Sequence, residues 1–208
     1  MKTKLSIQTI GKYLRELSVV VIGIAITFGI SNWINDRNSR KDLKQYLNTI
    51  KLELNTNIEA IEDEINMLDE SVSYTRYLLS QSKESLNSDS IQKYEHAITR
   101  IRSFNPKYNA FEMFKSSGIM RLINDKELLL SIWGAYSEIE DIQQDIQAYY
   151  DNKKDKLERE YVLKLSEKQS PLSLYNFFIT RYAISLQERS KDNLQRLKET
   201  VAKIDKKS

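Results

Sequence analysis

The chain has 208 residues with no cysteine, two prolines and five glycines, which excludes disulfide and thiolate chemistry and predicts long helices. Its formal charge of +3 belongs to residues 1–35, which hold four basic groups and one acid. The remaining residues are electrically neutral and give no electrostatic reason to bind nucleic acid. Roughly 170 residues follow the N-terminal segment, enough for one domain with a buried core.

Residues 1–16 predict a short basic helix at a membrane surface. Its apolar side chains recur near one helical face and most of its basic side chains lie off that face, a pattern that suits an anionic inner leaflet. The count of basic groups does not decide the membrane orientation, since residues 2–15 carry four and residues 37–51 carry five. The interfacial helix favours an N-terminus inside and a main domain outside the cytoplasm.

Residues 17–35 are the predicted transmembrane helix. They carry no charge, and at ~1.5 Å per residue they reach about 28 Å, close to the ~30 Å hydrocarbon core. The side chains expected to anchor it in lipid are Leu17, Val20, Ile24, Phe28 and Trp33. Two alternatives remain open: a signal peptide cleaved near Gly29-Ile30-Ser31, and a buried helix of a soluble protein.

Ala25 and Gly29 form a pair of small residues four positions apart, which permits close approach of two helices in lipid. The pair is a candidate contact for self-association. An apolar run that contains glycine also produces such pairs by chance.

The domain predicted to follow, residues 36–208, begins with a long amphipathic helix that ends near Ser80. Its apolar residues recur with a mean step of about 3.6, which predicts a helix in a bundle rather than an extended two-stranded coiled coil. They are Leu43, Leu47, Ile50, Leu54, Ile58, Ile61, Ile65, Leu68 and Val72. Residues 80–90 predict a loop, and residues 91–101 predict a second helix that ends near Pro106.

Two capping patterns mark the next helices. Asn109 followed by Glu112 predicts the start of a short helix, and Gly118 supplies a left-handed stop. Asn124 followed by Glu127 predicts the start of a longer helix that continues to residue 165. Its core side chains are expected to be Leu129, Ile132, Trp133, Tyr136, Ile139, Ile142, Ile146 and Tyr149.

A last helix is predicted to begin at Ser170-Pro171, where proline occupies the first helical position, and to end near Ile204. Its apolar positions are Phe178, Tyr182, Leu186, Leu194, Leu197, Val201 and Ile204. Strand-like alternation is absent from the sequence. The predicted fold class is therefore all-α: an N-terminal transmembrane helix followed by an antiparallel bundle of long amphipathic helices.

The residues needed for familiar catalytic sites are missing. One histidine, His96, cannot supply the paired histidines of a di-metal or zincin site, and no Gly-x-x-x-x-Gly-Lys loop is present. Acidic residues gather in residues 59–70 and 138–145. We interpret them as charged outer helix faces, with a carboxylate or cation site as the alternative. We predict no catalytic, cofactor-binding or metal-binding residue, and no cofactor.

Aromatic residues cluster near one end of the long helices. They are predicted to pack the core, and the alternative is an anchor for a partner protein. The cluster comprises Tyr149, Tyr150, Tyr175, Phe177, Phe178 and Tyr182.

Two stretches resemble an uncharacterised bacterial family of small single-pass membrane proteins with a helical domain of unknown function. VVVIGIAITFGISNWINDR, residues 19–37, resembles the family's membrane segment, with Ser31 where asparagine is usual. AFEMFKSSGIMRLINDKEL, residues 110–128, resembles its alanine/threonine–x–glutamate–x–leucine–lysine–serine–serine–glycine segment, with Phe114 where leucine is usual. The resemblance implies a membrane-anchored helical protein. It carries over no site residue, because no activity is established for the family.

Together these patterns favour a non-enzymatic protein of the bacterial inner membrane, single-pass, that acts as a scaffold or accessory protein. Its expected partners are the lipid bilayer and either another protein or further copies of itself. The alternative is a sensor-type domain that binds a small ligand within the bundle.

Overall fold

The computed structural model describes residues 7–80, 100–166 and 172–207. These residues form helices and no strands, which confirms the all-α prediction. The α-helices are α1 (Ile7–Ser80), α2 (Asn109–Ser116), α3 (Lys126–Ser166) and α4 (Leu172–Asp205), with a short 3-10 helix at Ile119–Leu122. The chain divides into two compact units, Met1–Gln45 and Tyr46–Ser208.

In the N-terminal unit, α1 is exposed on every side over its apolar stretch. Every residue from 16 to 38 is exposed, and none of the most apolar window is buried. Within the described ranges this is the one helix long and apolar enough to cross a membrane, a test that core helices of soluble proteins and signal sequences also pass. The predicted interfacial segment lies outside the described side chains, which begin at Glu16.

In the C-terminal unit, one face of α1 forms the core. The apolar stripe predicted from the 3.6-residue period is buried at all eight positions from Leu47 to Val72, which confirms it. Burial of each such side chain contributes about 1.5–3 kcal/mol, so the stripe fixes which face of the helix points inward.

The long helices α3 and α4 pack against each other. On α3 the core prediction holds at six positions and is wrong at two: Leu129 is half-buried, Trp133 is 42% exposed, and Leu128 is buried instead. The stripe from Ile132 to Tyr149 sets the rotation of α3. Leu129 and Trp133 lie about 90° or more from the centre of that stripe, at about 100° per residue.

On α4 the predicted core positions are confirmed at Leu186, Leu194, Leu197 and Ile204. Val201 is half-buried and Tyr182 is 37% exposed. The predicted start at Ser170-Pro171 and the side chain of Phe178 lie outside the described residues.

The end of the predicted second helix is wrong. Residues 100–108 are not helical, and the remainder of that helix, His96 and the predicted loop after Ser80 lie outside the described residues. The backbone of residues 100–108 is bound by side chains of α1 and α3, and these contacts replace the hydrogen bonds of a helix.

Gly118 ends α2, and Asp125 caps the start of α3. Gly118 adopts the left-handed conformation at φ 70°, which confirms the predicted stop after α2. The cap of α3 is Asp125 and not Asn124: its Oδ1 accepts a hydrogen bond from the Leu128 amide at 3.1 Å. That bond, followed by the contact with the Lys207 ammonium, lowers the pKa of the Asp125 carboxyl.

Candidate functional site

A buried carboxylate on α1 joins three elements of the bundle. Glu53 accepts hydrogen bonds from the amides of Ala110 at 2.8 Å and Phe111 at 3.3 Å, and from the Tyr136 hydroxyl at 2.7 Å. Two of these donors belong to the first turn of α2, where amides have no partner inside the helix. Glu53 therefore caps α2 from another helix, with its negative charge at the positive end of the helix dipole.

This contact replaces the capping box predicted from Asn109 and Glu112. The residue before α2 is Tyr108, whose side chain makes no capping bond. Glu112 forms an ion pair with Lys115 at 2.5 Å instead. The capping-box prediction was wrong because the Glu53 carboxylate, more than 50 residues away in sequence, accepts the hydrogen bonds of the first-turn amides of Ala110 and Phe111.

Aromatic rings surround the Glu53 carboxylate. Phe111 stacks on Tyr136 with ring centroids 4.1 Å apart, and Trp133 meets Phe111 edge-on at 5.0 Å. Burial, with the hydrogen bond to Glu53, raises the pKa of the Tyr136 hydroxyl. The phenol therefore stays protonated and donates to Glu53 across the physiological pH range.

The extended segment of residues 100–108 is held by amide side chains. Asn57 donates to the Lys107 carbonyl and accepts from the Lys107 amide, both at 2.8 Å. Gln143 accepts from the Tyr108 hydroxyl at 3.0 Å and donates to the Phe104 carbonyl at 3.5 Å. The segment thus has backbone partners on α1 and on α3.

A second buried polar cluster lies further along α3, around Lys153, which is 2% exposed. Its Nζ donates to the Arg100 carbonyl at 2.9 Å and lies 5.6 Å and 5.8 Å from the ring centroids of Tyr149 and Tyr150. Burial lowers the pKa of Lys153 to about 8, against the opposing effect of the Glu64 carboxylate. Tyr150 donates a hydrogen bond to Glu64, which is also buried.

A cavity of about 10 Å³ adjoins this cluster, between α1, α3 and Arg100. Ser71 Oγ and Tyr149 Oη are both buried there. Burial raises the pKa of Tyr149 to about 12, against the opposing effect of the Ser71 hydroxyl. That volume suits about one water molecule, whereas cavities that take small ligands measure about 300–1,000 Å³.

Asn57, Glu64 and Ser71 could have been found from the sequence. They recur every seven residues, two helical turns, and so share one flank of the apolar stripe of α1. Glu53 lies on the same flank, four residues before Asn57 and five turns before Ser71. Lys153 carries no such signal, because it lies among other charged residues.

The aromatic cluster packs the core where it is described. Tyr149 and Tyr150 are buried, and Tyr182 stacks on Tyr149 with centroids 6.0 Å apart. The side chains of Tyr175, Phe177 and Phe178 lie outside the described residues.

The acidic groups follow the outer-face interpretation with one exception. Within residues 59–70 and 138–145, four acids pair with basic residues of α4 at distances of 2.6–4.0 Å: Glu62, Asp69, Glu138 and Asp145. Glu64 is the exception, since it is buried against Tyr150. Among the described residues no group of three or more histidine, aspartate or glutamate side chains could hold a metal ion.

Large apolar side chains remain on the surface of the bundle. Leu130 is 70% exposed and lies one turn before Trp133 on α3. Phe111 of α2 packs edge-on against Trp133, whereas Met113 is exposed about 200° around α2 from Phe111. Leu130 and Trp133, with Phe111 packed against Trp133, are called here the α2–α3 apolar surface and are available for contact with another molecule.

The predicted anchor residues lie in the exposed stretch of the N-terminal unit. Leu17, Val20, Ile24, Phe28 and Trp33 are between 51% and 65% exposed. Ala25 is exposed, and a Cβ added to Gly29 would meet nothing within 4 Å. The face that carries the small-residue pair is therefore open in the single chain.

Comparison with family models, curated proteins and solved structures found no match to this chain. The family resemblance of residues 19–37 and 110–128 stays a prediction.

Proposed function

We propose that this chain is a single-pass membrane protein whose helical bundle works through protein contacts and not through catalysis. The observation that carries the proposal is the all-round exposure of residues 17–35, which are apolar on every face. The nine leucine, isoleucine, valine and phenylalanine residues between positions 17 and 33 contribute roughly −3 to −5 kcal/mol to membrane insertion. Lipid would cover the surface that no described residue covers.

The alternative of a soluble core helix is disfavoured by the same observation, because a core helix is buried by its own domain. A cleaved signal peptide is disfavoured by Glu16 directly before the apolar run and by the length of that run. Carbonate extraction of cell membranes tests both alternatives. The full-length protein should stay in the pellet, and a soluble protein that begins near Asn32 would refute the proposal.

The proposed location is the bacterial inner membrane, with the bundle outside the cytoplasm. The support for this side is the basic amphipathic pattern of residues 1–16. A Ser208→Cys variant tests it, since the chain has no other cysteine. A membrane-impermeant thiol reagent applied to spheroplasts should label the variant without permeabilisation. Labelling only after permeabilisation would place the bundle inside.

We propose that α4 runs opposite to both α1 and α3. In support, the residue numbers on α4 decrease as those of their partners on α1 increase. The pairs are Lys51–Asp205, Glu62–Lys198 and Asp69–Lys191. The same order holds on α3 for Glu127–Lys203, Glu138–Arg196 and Asp145–Arg189. Exposed ion pairs contribute only about 0–1 kcal/mol each, so they serve here as register markers.

Contact rather than catalysis is supported by how the polar groups are used. Glu53, Asn57 and Lys153 are engaged in bonds that hold the bundle together. The cavity beside Lys153 is too small for a metabolite. The α2–α3 apolar surface is the described feature of the bundle that suits a protein partner.

A photoreactive residue tests this proposal. Leu130→p-benzoylphenylalanine in the full-length protein should give a discrete cross-linked adduct in intact cells, either a partner or a second copy of the chain. The matched control is Glu188→p-benzoylphenylalanine, on the exposed face of α4. No adduct at residue 130, or the same adducts at both positions, would argue against a contact through this surface.

A small-residue contact in lipid is a separate part of the proposal. Ala25→Leu with Gly29→Leu should weaken self-association of the full-length protein if the open face of α1 is the contact. Cross-linking yield in reconstituted vesicles measures it. An unchanged yield would remove this face from the proposal and leave the bundle contact untouched.

A further inference from the structure

The stretch of α1 that follows the apolar run carries a basic stripe on one face. At about 100° per residue, Arg37, Arg40, Lys41 and Lys44 fall within about 100° of the helix circumference, a sector that also contains Trp33. All five side chains are exposed. Asp42 lies on the opposite side of the helix, and Asp36 lies about 40° outside the stripe.

None of the four basic groups in the stripe has a carboxylate within 4 Å among the described residues, so their charge faces outward. Arg37 instead places its guanidinium carbon 5.8 Å from the centre of the Trp33 ring. This cation–π contact joins the stripe to the residue at the end of the apolar run. Tryptophan prefers the level of the lipid headgroups, so the stripe starts at that level.

We propose that this stripe binds anionic phospholipids of the leaflet in which the apolar run ends. The inference rests on the proposed membrane span and not on the proposed side of the membrane, because it requires only that this leaflet contains anionic lipid. In a helix the side chains tilt toward the N-terminus, which here means toward the bilayer. The Cα atoms of Arg37, Arg40 and Lys41 lie about 6–12 Å beyond that of Trp33 along the axis, at about 1.5 Å per residue.

Long arginine and lysine side chains span most of that distance. The guanidinium groups of Arg37 and Arg40 can each bind a phosphate through two parallel hydrogen bonds, and Lys41 can add a single charged donor. Lys44 is about one turn further out. It acts through the surface potential, which extends about one Debye length from an anionic membrane. A zwitterionic headgroup offers no net charge to this stripe, so the stripe selects anionic lipid.

Trp33 provides a local probe. The chain has two tryptophans, so a Trp133→Phe background leaves Trp33 as the single indole fluorophore. The full-length protein is reconstituted in phosphatidylcholine vesicles that contain a small share of either brominated phosphatidylglycerol or brominated phosphatidylcholine. Bromine quenches indole fluorescence at short range, and the ratio of the two quenching efficiencies reports the lipid that surrounds Trp33.

We expect local enrichment of the anionic lipid of about fivefold at low ionic strength, since a basic group near the surface contributes on the order of a factor of five. The enrichment should fall as salt screens the stripe. The combined variant Arg37→Gln, Arg40→Gln and Lys41→Gln should bring the ratio to about 1. The matched control is Lys2→Gln, Lys4→Gln and Lys12→Gln, which removes equal charge before the apolar run and should keep the enrichment.

A quenching ratio near 1 with the basic residues unchanged would overturn the proposal. An enrichment of anionic lipid that persists after Arg37, Arg40 and Lys41 are replaced would overturn it as well. Those results would leave the membrane span intact, because bromine on either lipid would still quench Trp33. If neither brominated lipid quenches Trp33, the span itself is absent, and the proposed function fails together with the stripe.

Discussion

Two parts of the same helix, α1, differ in how their apolar residues are arranged. Residues 17–35, in the N-terminal unit, are apolar around the whole circumference and have no buried residue. Residues 47–72, in the C-terminal unit, bury one apolar stripe and expose charged residues on the other side. Secondary structure does not distinguish the two stretches, since both belong to one continuous α-helix.

The two surfaces differ in the contacts that would cover them. A stripe along one face needs a partner surface made of protein, and polar residues elsewhere keep the helix in water. An apolar surface on every face has no water-compatible side, and this is why we propose that lipid covers it. Exposure in an isolated chain therefore means two different things along α1, and substitutions can separate them.

The largest expected effect comes from charge in the apolar run. Val20→Lys with Ile24→Lys should cost about 7 kcal/mol of insertion free energy and release the protein from carbonate-washed membranes. Leu52→Lys is the control, because Leu52 is 58% exposed and Val20 57% exposed. Membrane association that survives the double substitution, or is lost with Leu52→Lys, would erase the distinction between the two parts of α1.

Truncation of a side chain in the buried apolar stripe of α1, residues 47–72, should lower the stability of the bundle alone. Ile61 is fully buried, and Ile61→Ala should lower the free energy of unfolding by about 3 kcal/mol through lost burial and a cavity. Ile24→Ala should leave bundle unfolding unchanged, since Ile24 lies in the other unit. Denaturant unfolding of the full-length protein in mild detergent measures both, and equal effects would contradict the assignment.

The polar contacts inside the bundle should follow in size. Glu53→Gln should cost about 2 kcal/mol, because an amide cannot accept all three hydrogen bonds that the carboxylate accepts. Glu59→Gln, an exposed neighbour on α1, should stay within about 0.5 kcal/mol. Combined with Tyr136→Phe, the Glu53 variant should lose less than the sum of the single losses. Strict additivity would mean that the two side chains do not interact.

The smallest effect is a dependence on pH. The pKa of Lys153 is about 8 in the folded protein, below its ordinary value of 10.5. Between these values the unfolded chain binds more protons than the folded one, so stability rises with pH. We expect a rise of about 1 kcal/mol from about pH 7.5 to about pH 9.

The neighbours of Lys153 are Glu64, Arg100, Tyr149 and Tyr150, and burial raises the pKa of both tyrosine hydroxyls. Lys153→Met should flatten the profile, measured by denaturant unfolding of the full-length protein at each pH. A slope that persists in the variant would assign the effect to another group.

The buried apolar stripe of α1 was predictable because a helical period is a local property of the sequence. The rotation of α3 follows from the same period, but two positions were assigned to the wrong face: Leu129 and Trp133 lie about 90° or more from the centre of the stripe, whereas Leu128 lies close to it. Gly118 was predictable since its conformation is set by its own backbone. The capping box at Asn109 failed because Glu53, which no local pattern connects to α2, supplies the cap.

The candidate site was harder to predict than the fold. Lys153 reads as one more surface cation in a charged stretch, and nothing local indicates that it is buried beneath two tyrosines. The spacing of residues 91–101 predicted a helix that ends near Pro106, yet residues 100–108 are not helical and side chains on other helices bind their backbone. Contacts between residues far apart in sequence decide both cases.

The amides of Lys107, Ala110 and Phe111 have an unusual set of acceptors, since all three donate to side chains of α1. In an ordinary helix, exchange of an amide proton with heavy water reports fraying of that helix. Here the proton is released only when α1 withdraws from the segment. These three positions are therefore built-in reporters of docking, and their exchange should be slow and should accelerate together.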